Sequence, residues 1–186
     1  MLRHMSGLAT LPRLLAPLGY QSLQTGKWWE GHFALGGFTH GMTHGDPARR
    51  GRHGDEGLRI GREGLEPIFD FIELCGERPF FIWYAPLLPH EPHNPPERLL
   101  AKYTTDSRPP ALARYWAMCE WFDETVGELL EFLDQRGLSD DTLVAFVVDN
   151  GWIQEVGPER TTRGRFAPKS KLSPYDGGTR TPIILR

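Results

Sequence analysis

The sequence predicts an α/β fold, in which a sheet of mainly parallel strands is covered by helices. Apolar segments typical of strands, such as "PFFIWYAP", alternate with segments of helical periodicity. The segment "TLVAFVVDNG" is a continuous β-branched run of the kind found in central parallel strands. The order strand, helix, strand, helix, strand is typical of a sheet whose strands are joined by helices.

Length and composition indicate one folded globular unit that does not bind nucleic acid through general positive charge. The chain has 186 residues, of which 39% are hydrophobic, and this is enough to bury a core. Its formal net charge of -3 lacks the excess of Lys and Arg that phosphate binding needs. No segment approaches the roughly 18 consecutive apolar residues of a membrane helix. The N-terminal segment lacks the apolar core and cleavage site of a secretory signal, so the sequence predicts no compartment.

The first third of the chain predicts a helix, a strand and a long loop. Thr10 can cap a helix whose first turn accepts Pro12 and which ends at Gly19. "YQSLQTG" then predicts a short strand. Residues 31–64 are rich in Gly, Arg and His and have no sustained period, so we expect a long loop, and such loops in compact domains are usually functional or mobile. The apolar face of the first helix is expected to consist of Leu14, Leu15 and Leu18.

The remaining elements are two helices and three strands. Apolar residues recur at helical spacing between Glu63 and Leu74, and Gly76 can close this helix. "PFFIWYAP" predicts a buried strand because it is apolar on both faces. "TLVAFVVDNG" and "TPIILR" supply the last strands and flank a basic, proline-bearing loop at residues 158–174. A long helix that stops at Gly137 is predicted between "PFFIWYAP" and "TLVAFVVDNG", because apolar residues recur there in steps of three and four. These apolar residues are Leu112, Tyr115, Cys119, Phe122, Val126, Leu129 and Leu133.

Two segments at strand ends could carry chemistry, because ligands of open α/β sheets bind beyond the carboxyl ends of the strands. In "VVDNG", Asp149 and Asn150 are adjacent oxygen donors suited to a hard cation such as Ca²⁺ or Mg²⁺. The alternative is that Asp-Asn-Gly is an ordinary turn. "YAPLLPHEPHNPP" contains five prolines, which position His90 and His93 with little loss of entropy for proton donation or anion binding. The alternative is a rigid surface loop whose histidines face solvent.

Two further segments carry lysines. "TGKWWEG" places Lys27 between a glycine and two tryptophans, where its stem could simply lie across the rings with its ammonium group in water. "KSKLSPYDGGTRTP" combines Lys171 with a turn-forming Gly177-Gly178 pair and a following strand, and its alternative is a solvated basic loop.

Together and in this order, the four segments resemble the sulfatase family of the alkaline phosphatase superfamily. Its members carry a Gly-Lys-Trp motif, a Pro-His-x-Pro segment, an Asp-Asn-Gly metal motif and a Lys-x-x-x-Tyr-Glu-Gly-Gly-x-Arg-x-Pro motif. The likeness extends from the first predicted helix to the last strand. It implies an alkaline phosphatase-like fold, with residues 1–186 as part of a single sulfatase catalytic domain.

The resemblance implies a role for five residues. Lys27 and Lys171 match the two lysines that contact the sulfate in sulfatases, and Lys27 also matches a contact to the nucleophile. His90 matches the histidine near the leaving-group oxygen. Asp149 and Asn150 match two ligands of the divalent cation, usually Ca²⁺. A metal and two ammonium groups can stabilise sulfate oxygens while the S–O bond breaks, and an imidazole can protonate the departing alkoxide.

The chain departs from the family at its nucleophile. Sulfatases use a formylglycine made from the first residue of a Cys/Ser-x-Pro/Ala-x-Arg motif. Ser107 does not begin such a motif, and neither do Cys75 and Cys119, which we expect to be core thiols inside helices. The further metal-binding aspartates of the family are also missing. We therefore expect an internal part of a sulfatase, incomplete at both ends and inactive alone, with the formylglycine upstream and a C-terminal subdomain downstream.

Two smaller departures and two alternatives stay open. Trp29 stands where many sulfatases have a histidine, and Asp176 stands where the motif has a glutamate. The predicted function is a sulfuric ester hydrolase acting on a sulfated small molecule or carbohydrate. A phosphodiesterase or phosphonate hydrolase of the same superfamily would use similar lysines and metals, and a catalytically dead module could bind sulfated glycans. Sulfatases are often exported, but localisation stays open here.

Overall fold

The computed structural model describes residues 7–28, 31–46, 48, 59–151, 171 and 173–186. It divides the chain into two compact units. The first consists of Met1–His93 and Met118–Leu129, and the second of Asn94–Ala117 and Leu130–Arg186.

The first unit contains a parallel sheet of three strands. Strand β1 (Gln21–Gly26) lies in the middle, between β2 (His40–Gly41) and β3 (Phe80–Ala85). Both neighbours run parallel to β1, and the pairing with β3 extends from Gln21 opposite Phe80 to Gly26 opposite Ala85. The carboxyl ends of β1 and β3 therefore lie side by side.

Helix α1 (Leu11–Leu15) continues as a 3₁₀ helix (Ala16–Leu18) and ends at Gly19, which has a left-handed φ of 87°. These bounds confirm the predicted helix. Its predicted apolar face is wrong, because Leu14 and Leu18 are exposed and the side chain buried in α1 is that of Pro12.

The region predicted as a loop at residues 31–64 contains a 3₁₀ helix (Phe33–Gly36) and strand β2. Strand β2 is held beside β1 by Thr39 and Ser22, whose backbone and side-chain groups form hydrogen bonds of 2.7–3.0 Å with each other. A strand of two residues is too short to produce a recognisable period, so the sequence did not reveal it. Residues 47 and 49–58 lie outside the described part.

Helix α2 (Glu66–Cys75) confirms the prediction and ends at Gly76. Its buried side chains are those of Ile68, Phe71, Ile72 and Cys75. Burial raises the pKa of the Cys75 thiol, and the charge of Arg78 opposes that shift. The other predicted core thiol, Cys119, is only half-buried.

Strand β3 is less buried than its composition predicts. Most of its side chains are half-buried and Trp83 is exposed. The prediction of a strand buried on both faces is therefore wrong. Within the described residues β3 pairs with a strand on one side only, so it lies at the edge of the sheet.

The long helix lies at Pro110–Gln135 (α4), after a shorter one at Glu97–Tyr103 (α3). Gly137 follows with a φ of 66°, as predicted. Of the predicted apolar face only Leu133 is fully buried and the other members are half-buried, because small side chains permit close packing that hydrophobic periodicity does not reveal. The buried residues are Ala113, Ala117, Met118, Thr125 and Leu133. Across the described helices, none is long and apolar enough to cross a membrane.

The second unit contains strands β4 (Ala145–Val147) and β5 (Ile183–Leu185), with the short helix α5 (Asp176–Thr179) before β5. The prediction that "TLVAFVVDNG" forms a central parallel strand is wrong, because β4 pairs antiparallel with β5 and Val147 is 61% exposed. β-Branched residues favour strands of either direction, so composition did not decide the pairing. With three of the five described strands in a parallel sheet, the predicted α/β class is confirmed.

Candidate active site

Lys27 follows β1 directly and is fixed through its backbone. The preceding Gly26 has a φ of 70°, and a Cβ atom at this position would lie 2.0 Å from the carbonyl oxygen of Ala85. The N–H group of Lys27 donates a hydrogen bond of 2.6 Å to that same oxygen. Only glycine fits such a turn. Lys27 therefore begins at the carboxyl edge of the parallel sheet, held against the end of β3.

A buried polar network fixes the turn from the other side. The Gly26 carbonyl accepts hydrogen bonds from Gln24 Nε2 at 3.1 Å and from Thr43 Oγ1 at 3.3 Å. Gln24 Oε1 in turn accepts from the Thr43 N–H group at 3.0 Å. Both side chains are fully buried, so each satisfies polar groups that water does not reach. These two residues were not identified from the sequence. The polar residues in the strand "YQSLQTG", which includes Gln24, could have indicated that buried hydrogen-bond partners were needed.

Trp28 belongs to an aromatic cluster beside the lysine. Its ring packs edge-on against Phe38 and Trp83, with ring centroids 5.4 Å and 6.5 Å apart respectively. Trp83 also donates from Nε1 to the Lys27 carbonyl at 3.3 Å. The Lys27 backbone is therefore held at its carbonyl by Trp83 and at its N–H group by Ala85. Trp29, the position of the family departure, lies outside the described residues.

His90 lies in the proline-rich segment after β3, and its side chain is exposed. Its Nδ1 atom is 3.1 Å from the Glu91 carbonyl oxygen. Arg62 holds the backbone of this segment, since Nη2 donates to Leu87 O at 2.8 Å and to His90 O at 3.0 Å, and Nη1 donates to Pro92 O at 3.1 Å. Sequence reasoning missed Arg62. The proline content of the segment could have indicated such a residue, because a segment with few N–H groups needs hydrogen-bond donors from elsewhere for its carbonyls.

The Arg62 guanidinium is half-buried, with its central carbon 5.8 Å from the ring centroid of Trp121. Burial lowers the pKa of Arg62 from its ordinary value. An arginine stays protonated near neutral pH in such surroundings. The segment that carries His90 is therefore hydrogen-bonded to a permanent cation.

In the second unit, Asp149 and Asn150 follow β4, and the next residue, Gly151, fits closely against a second predicted motif. The Gly151 N–H group donates to Gly178 O at 3.2 Å. A Cβ atom on Gly151 would lie 1.7 Å from the carbonyl oxygen of Gly177. The structure therefore brings "VVDNG" and "YDGGTR" together, as a shared site requires.

The oxygen donors of this segment fit part of a Ca²⁺ site. Asn150 donates from Nδ2 to Gly151 O at 3.0 Å, which leaves its Oδ1 as the atom suited to a cation. The carboxylate of Asp149 is a second hard oxygen donor on an exposed residue. Ca²⁺ takes 6–8 oxygen ligands. No group of three or more His, Cys, Asp or Glu suited to a metal occurs within the described ranges, so further ligands are needed.

The five predicted site residues divide between the two units. Lys27 and His90 belong to the first unit, where both follow neighbouring strands of the parallel sheet. Asp149, Asn150 and Lys171 belong to the second unit, in which Lys171 is half-buried and precedes α5. Their assignment to one site stays a prediction.

The family model and the relatives with similar sequences all indicate one family. The Sulfatase family model matches residues 3–186. N-acetylgalactosamine-6-sulfatase of Homo sapiens is 28% identical over 211 residues, which cover 94% of this chain and 38% of that protein. N-acetylgalactosamine-6-O-sulfatase of Bacteroides thetaiotaomicron is 29% identical over 124 residues, which cover 62% of this chain and 23% of that protein.

The fold is similar to that of a solved structure. The crystal structure of Ps i-CgsB superimposes with a TM-score of 0.67 at 18% sequence identity, covering 97% of this chain and 49% of that chain. This likeness confirms the alkaline phosphatase-like α/β fold. The chain spans less than half the length of the relatives it matches. Because the family model covers nearly the whole sequence, the chain belongs to the sulfatase family.

Proposed function

We propose that this protein is a sulfuric ester hydrolase that cleaves sulfate monoesters with the help of a divalent cation. The observation that carries the proposal is the position of Lys27 in a chain of the sulfatase family. Its backbone is hydrogen-bonded to Ala85 at the carboxyl edge of the parallel sheet, where α/β proteins bind their ligands.

The two lysines would bind the sulfate group. As the S–O bond breaks, negative charge on a sulfate monoester shifts toward the leaving oxygen. The ammonium groups of Lys27 and Lys171 are compact charges with several donors, and they would stabilise the sulfate oxygens in that transition state. A preorganised charge acts best where its attachment is rigid, and the Gly26 turn supplies this for Lys27.

His90 would act on the leaving group. Its imidazole would donate a proton to the oxygen of the departing alcohol, because an alkoxide is a poor leaving group without protonation. The side chain is exposed on a segment whose backbone is held by Arg62. It would therefore be accessible to substrate while its backbone position is constrained.

Asp149 and Asn150 would hold the cation, for which Ca²⁺ is the expected ion. When bound, it supplies positive charge that stabilises the oxygens of the sulfate. The remaining ligands and the nucleophile, a formylglycine in this family, would come from outside the described residues. This assignment makes residues 1–186 part of one catalytic domain.

We extend the proposal to a sulfated carbohydrate as substrate. The support is the names of the relatives in human and Bacteroides thetaiotaomicron, both of which refer to N-acetylgalactosamine.

An assay on the protein made from its complete reading frame tests the proposal. The purified protein is incubated with an aryl sulfate and with an aryl phosphodiester, with and without Ca²⁺. We expect hydrolysis of the sulfate to be preferred. A clear preference for the phosphodiester would assign the protein to phosphodiester or phosphonate hydrolysis instead. Binding of sulfated glycans without hydrolysis, in a protein whose complete reading frame lacks Cys/Ser-x-Pro/Ala-x-Arg, would identify a binding module.

A further inference from the structure

We propose that Arg62 is the positioning residue for His90, because its guanidinium fixes the backbone from which the imidazole projects. The inference rests on the proposed function, in which His90 protonates the leaving oxygen. Arg62 would not contact the substrate in this role. It would act through the carbonyl groups on either side of His90.

The segment after β3 needs such a donor. Prolines at positions 86, 89, 92 and 95 have no N–H group, so this stretch has few backbone donors for its own carbonyls. Arg62 binds the carbonyls of Leu87, His90 and Pro92 at 2.8, 3.0 and 3.1 Å. These three acceptors lie before, at and after the histidine, so one side chain constrains the whole Pro-His-x-Pro motif.

Arginine suits this task better than lysine does. Its planar guanidinium carries five N–H donors in a fixed arrangement, so two nitrogen atoms can reach three carbonyls at once. A lysine at this position would keep the charge, but its single nitrogen cannot reproduce the planar arrangement. The distinction between charge and geometry can therefore be tested by substitution.

The backbone of Arg62 is itself well anchored. Its N–H group donates to Arg59 O at 3.0 Å, and the turn is closed by a bond of 2.9 Å from the Gly61 N–H to Gly64 O. Ile60, next to this turn, is only 1% exposed. A Cβ atom on Gly61 would lie 2.7 Å from Tyr84 Oη, so the turn packs closely against a residue of β3. The guanidinium therefore extends from a fixed position.

Trp121 contributes a surface for the guanidinium. The Arg62 central carbon lies 5.8 Å from the centroid of its ring, within the range of a cation–π interaction. The arginine is thus held by its backbone turn at one end and by the ring and three carbonyls at the other. The exposed imidazole of His90 extends from a backbone that Arg62 orients.

A leaving-group comparison tests the inference on the complete protein. Arg62→Lys, His90→Ala and the double variant are assayed on an alkyl sulfate, whose alkoxide needs a proton, and on an aryl sulfate with an acidic phenol, which leaves without one. We expect Arg62→Lys to lower kcat on the alkyl sulfate by about 10- to 100-fold, part of the contribution of a general acid. We expect less than about a threefold change on the aryl sulfate and an unchanged KM for both.

The double variant and a control make the result specific. Because Arg62 would act through His90, the double variant should be no slower than His90→Ala alone. Arg59→Lys is the matched control, since Arg59 is exposed and pairs with Glu63 at 2.9 Å, and it should retain full activity on both esters. Equal losses on the two substrates, or additive losses in the double variant, would overturn the positioning role.

A second measurement separates this inference from the proposed function. If the wild-type protein hydrolyses neither ester, the proposed function fails. The backbone carbonyl ¹³C chemical shifts of Leu87, His90 and Pro92 still test the contact with Arg62, because Arg62 donates its hydrogen bonds to these three carbonyls. We expect these shifts to change in Arg62→Lys and to keep their wild-type values in Arg59→Lys. Unchanged shifts in Arg62→Lys would show that Arg62 does not hold the segment.

Discussion

A Cβ atom on Gly26 would lie 2.0 Å from the carbonyl oxygen of Ala85. That oxygen also accepts a hydrogen bond from the N–H group of Lys27. The glycine of the Gly-Lys-Trp motif is therefore needed for close contact between two strand ends, and this contact places the lysine. The motif combines a structural requirement at Gly26 with the proposed chemical role of Lys27.

Gly26→Ala should destabilise the protein. The substitution introduces a clash with Ala85 O and a φ of 70° that residues other than glycine rarely adopt. We expect the free energy of unfolding to fall by about 2–4 kcal/mol, measured by urea denaturation. Gly127→Ala is the matched control, because its Cβ meets nothing within 4 Å inside helix α4, and it should stabilise by about 0.5–1 kcal/mol. Wild-type stability of Gly26→Ala would contradict the close contact.

Lys27→Met should impair catalysis without impairing folding. Methionine keeps most of the apolar stem but removes the ammonium group from the proposed sulfate site. We expect kcat/KM on an aryl sulfate to fall by about 10²- to 10³-fold, as for loss of one preorganised group. Lys102→Met, on the exposed side of α3, should leave the rate unchanged. A similar small effect in both variants would remove Lys27 from the site.

Asp149→Ala should weaken binding of the cation. Removal of one carboxylate ligand should lower Ca²⁺ affinity at least about tenfold, measured by isothermal titration calorimetry on protein stripped with a chelator. Asp140→Ala, an exposed carboxylate in the 3₁₀ helix Ser139–Asp141, serves as the control. In the wild type, chelation should abolish sulfate hydrolysis and Ca²⁺ should restore it. Equal Ca²⁺ affinity of the two variants would contradict the assignment.

Gly151→Ala should weaken Ca²⁺ binding at the same proposed site by displacing the backbone. Its Cβ would lie 1.7 Å from Gly177 O, so "VVDNG" would have to move away from "YDGGTR". We expect a loss of Ca²⁺ affinity of about tenfold with both side-chain ligands still present. Gly7→Ala is the control, because a Cβ atom on Gly7 would meet no atom within 4 Å, and this variant should bind Ca²⁺ with wild-type affinity. Normal affinity in Gly151→Ala would show that this contact does not shape the site.

Tyr84 should make stability sensitive to alkaline pH. Burial raises its pKa to about 12 from 10.0, Glu128 adds to the rise, and the hydrogen bond to Thr125 opposes it. The unfolded chain ionises near pH 10 while the folded protein keeps the phenol neutral, so stability is lost as pH rises from 10 to 12. We expect this residue to contribute a loss of about 2–3 kcal/mol over that interval.

Tyr84→Phe provides the comparison, since phenylalanine cannot ionise. Urea denaturation at pH 9, 10, 11 and 12 should show a shallower decline in the variant than in the wild type. Parallel declines would mean that the Tyr84 phenol ionises as readily in the folded protein as in the unfolded chain.

Local sequence patterns predicted much of the fold. Helix α4 was recognisable because its apolar residues recur at helical spacing, and glycines with positive φ mark the ends of α1 and α4 as expected. The candidate site residues were recognisable because four segments, in order, resemble the motifs of the sulfatase family. Ammonium, imidazole and carboxylate groups have intrinsic chemistry, so their identity and order along the chain carry information before any contact is known.

The tertiary structure alone decided the partners of these residues. Arg62 and His90 are 28 positions apart, and nothing in either local sequence specifies their hydrogen bond. The same holds for the antiparallel pairing of β4 with β5, and for burial of Gln24 beside Thr43. Sequence patterns report what each segment prefers by itself. Strand direction and hydrogen-bond partners depend on which distant groups meet when backbone donors and acceptors are satisfied in the folded chain.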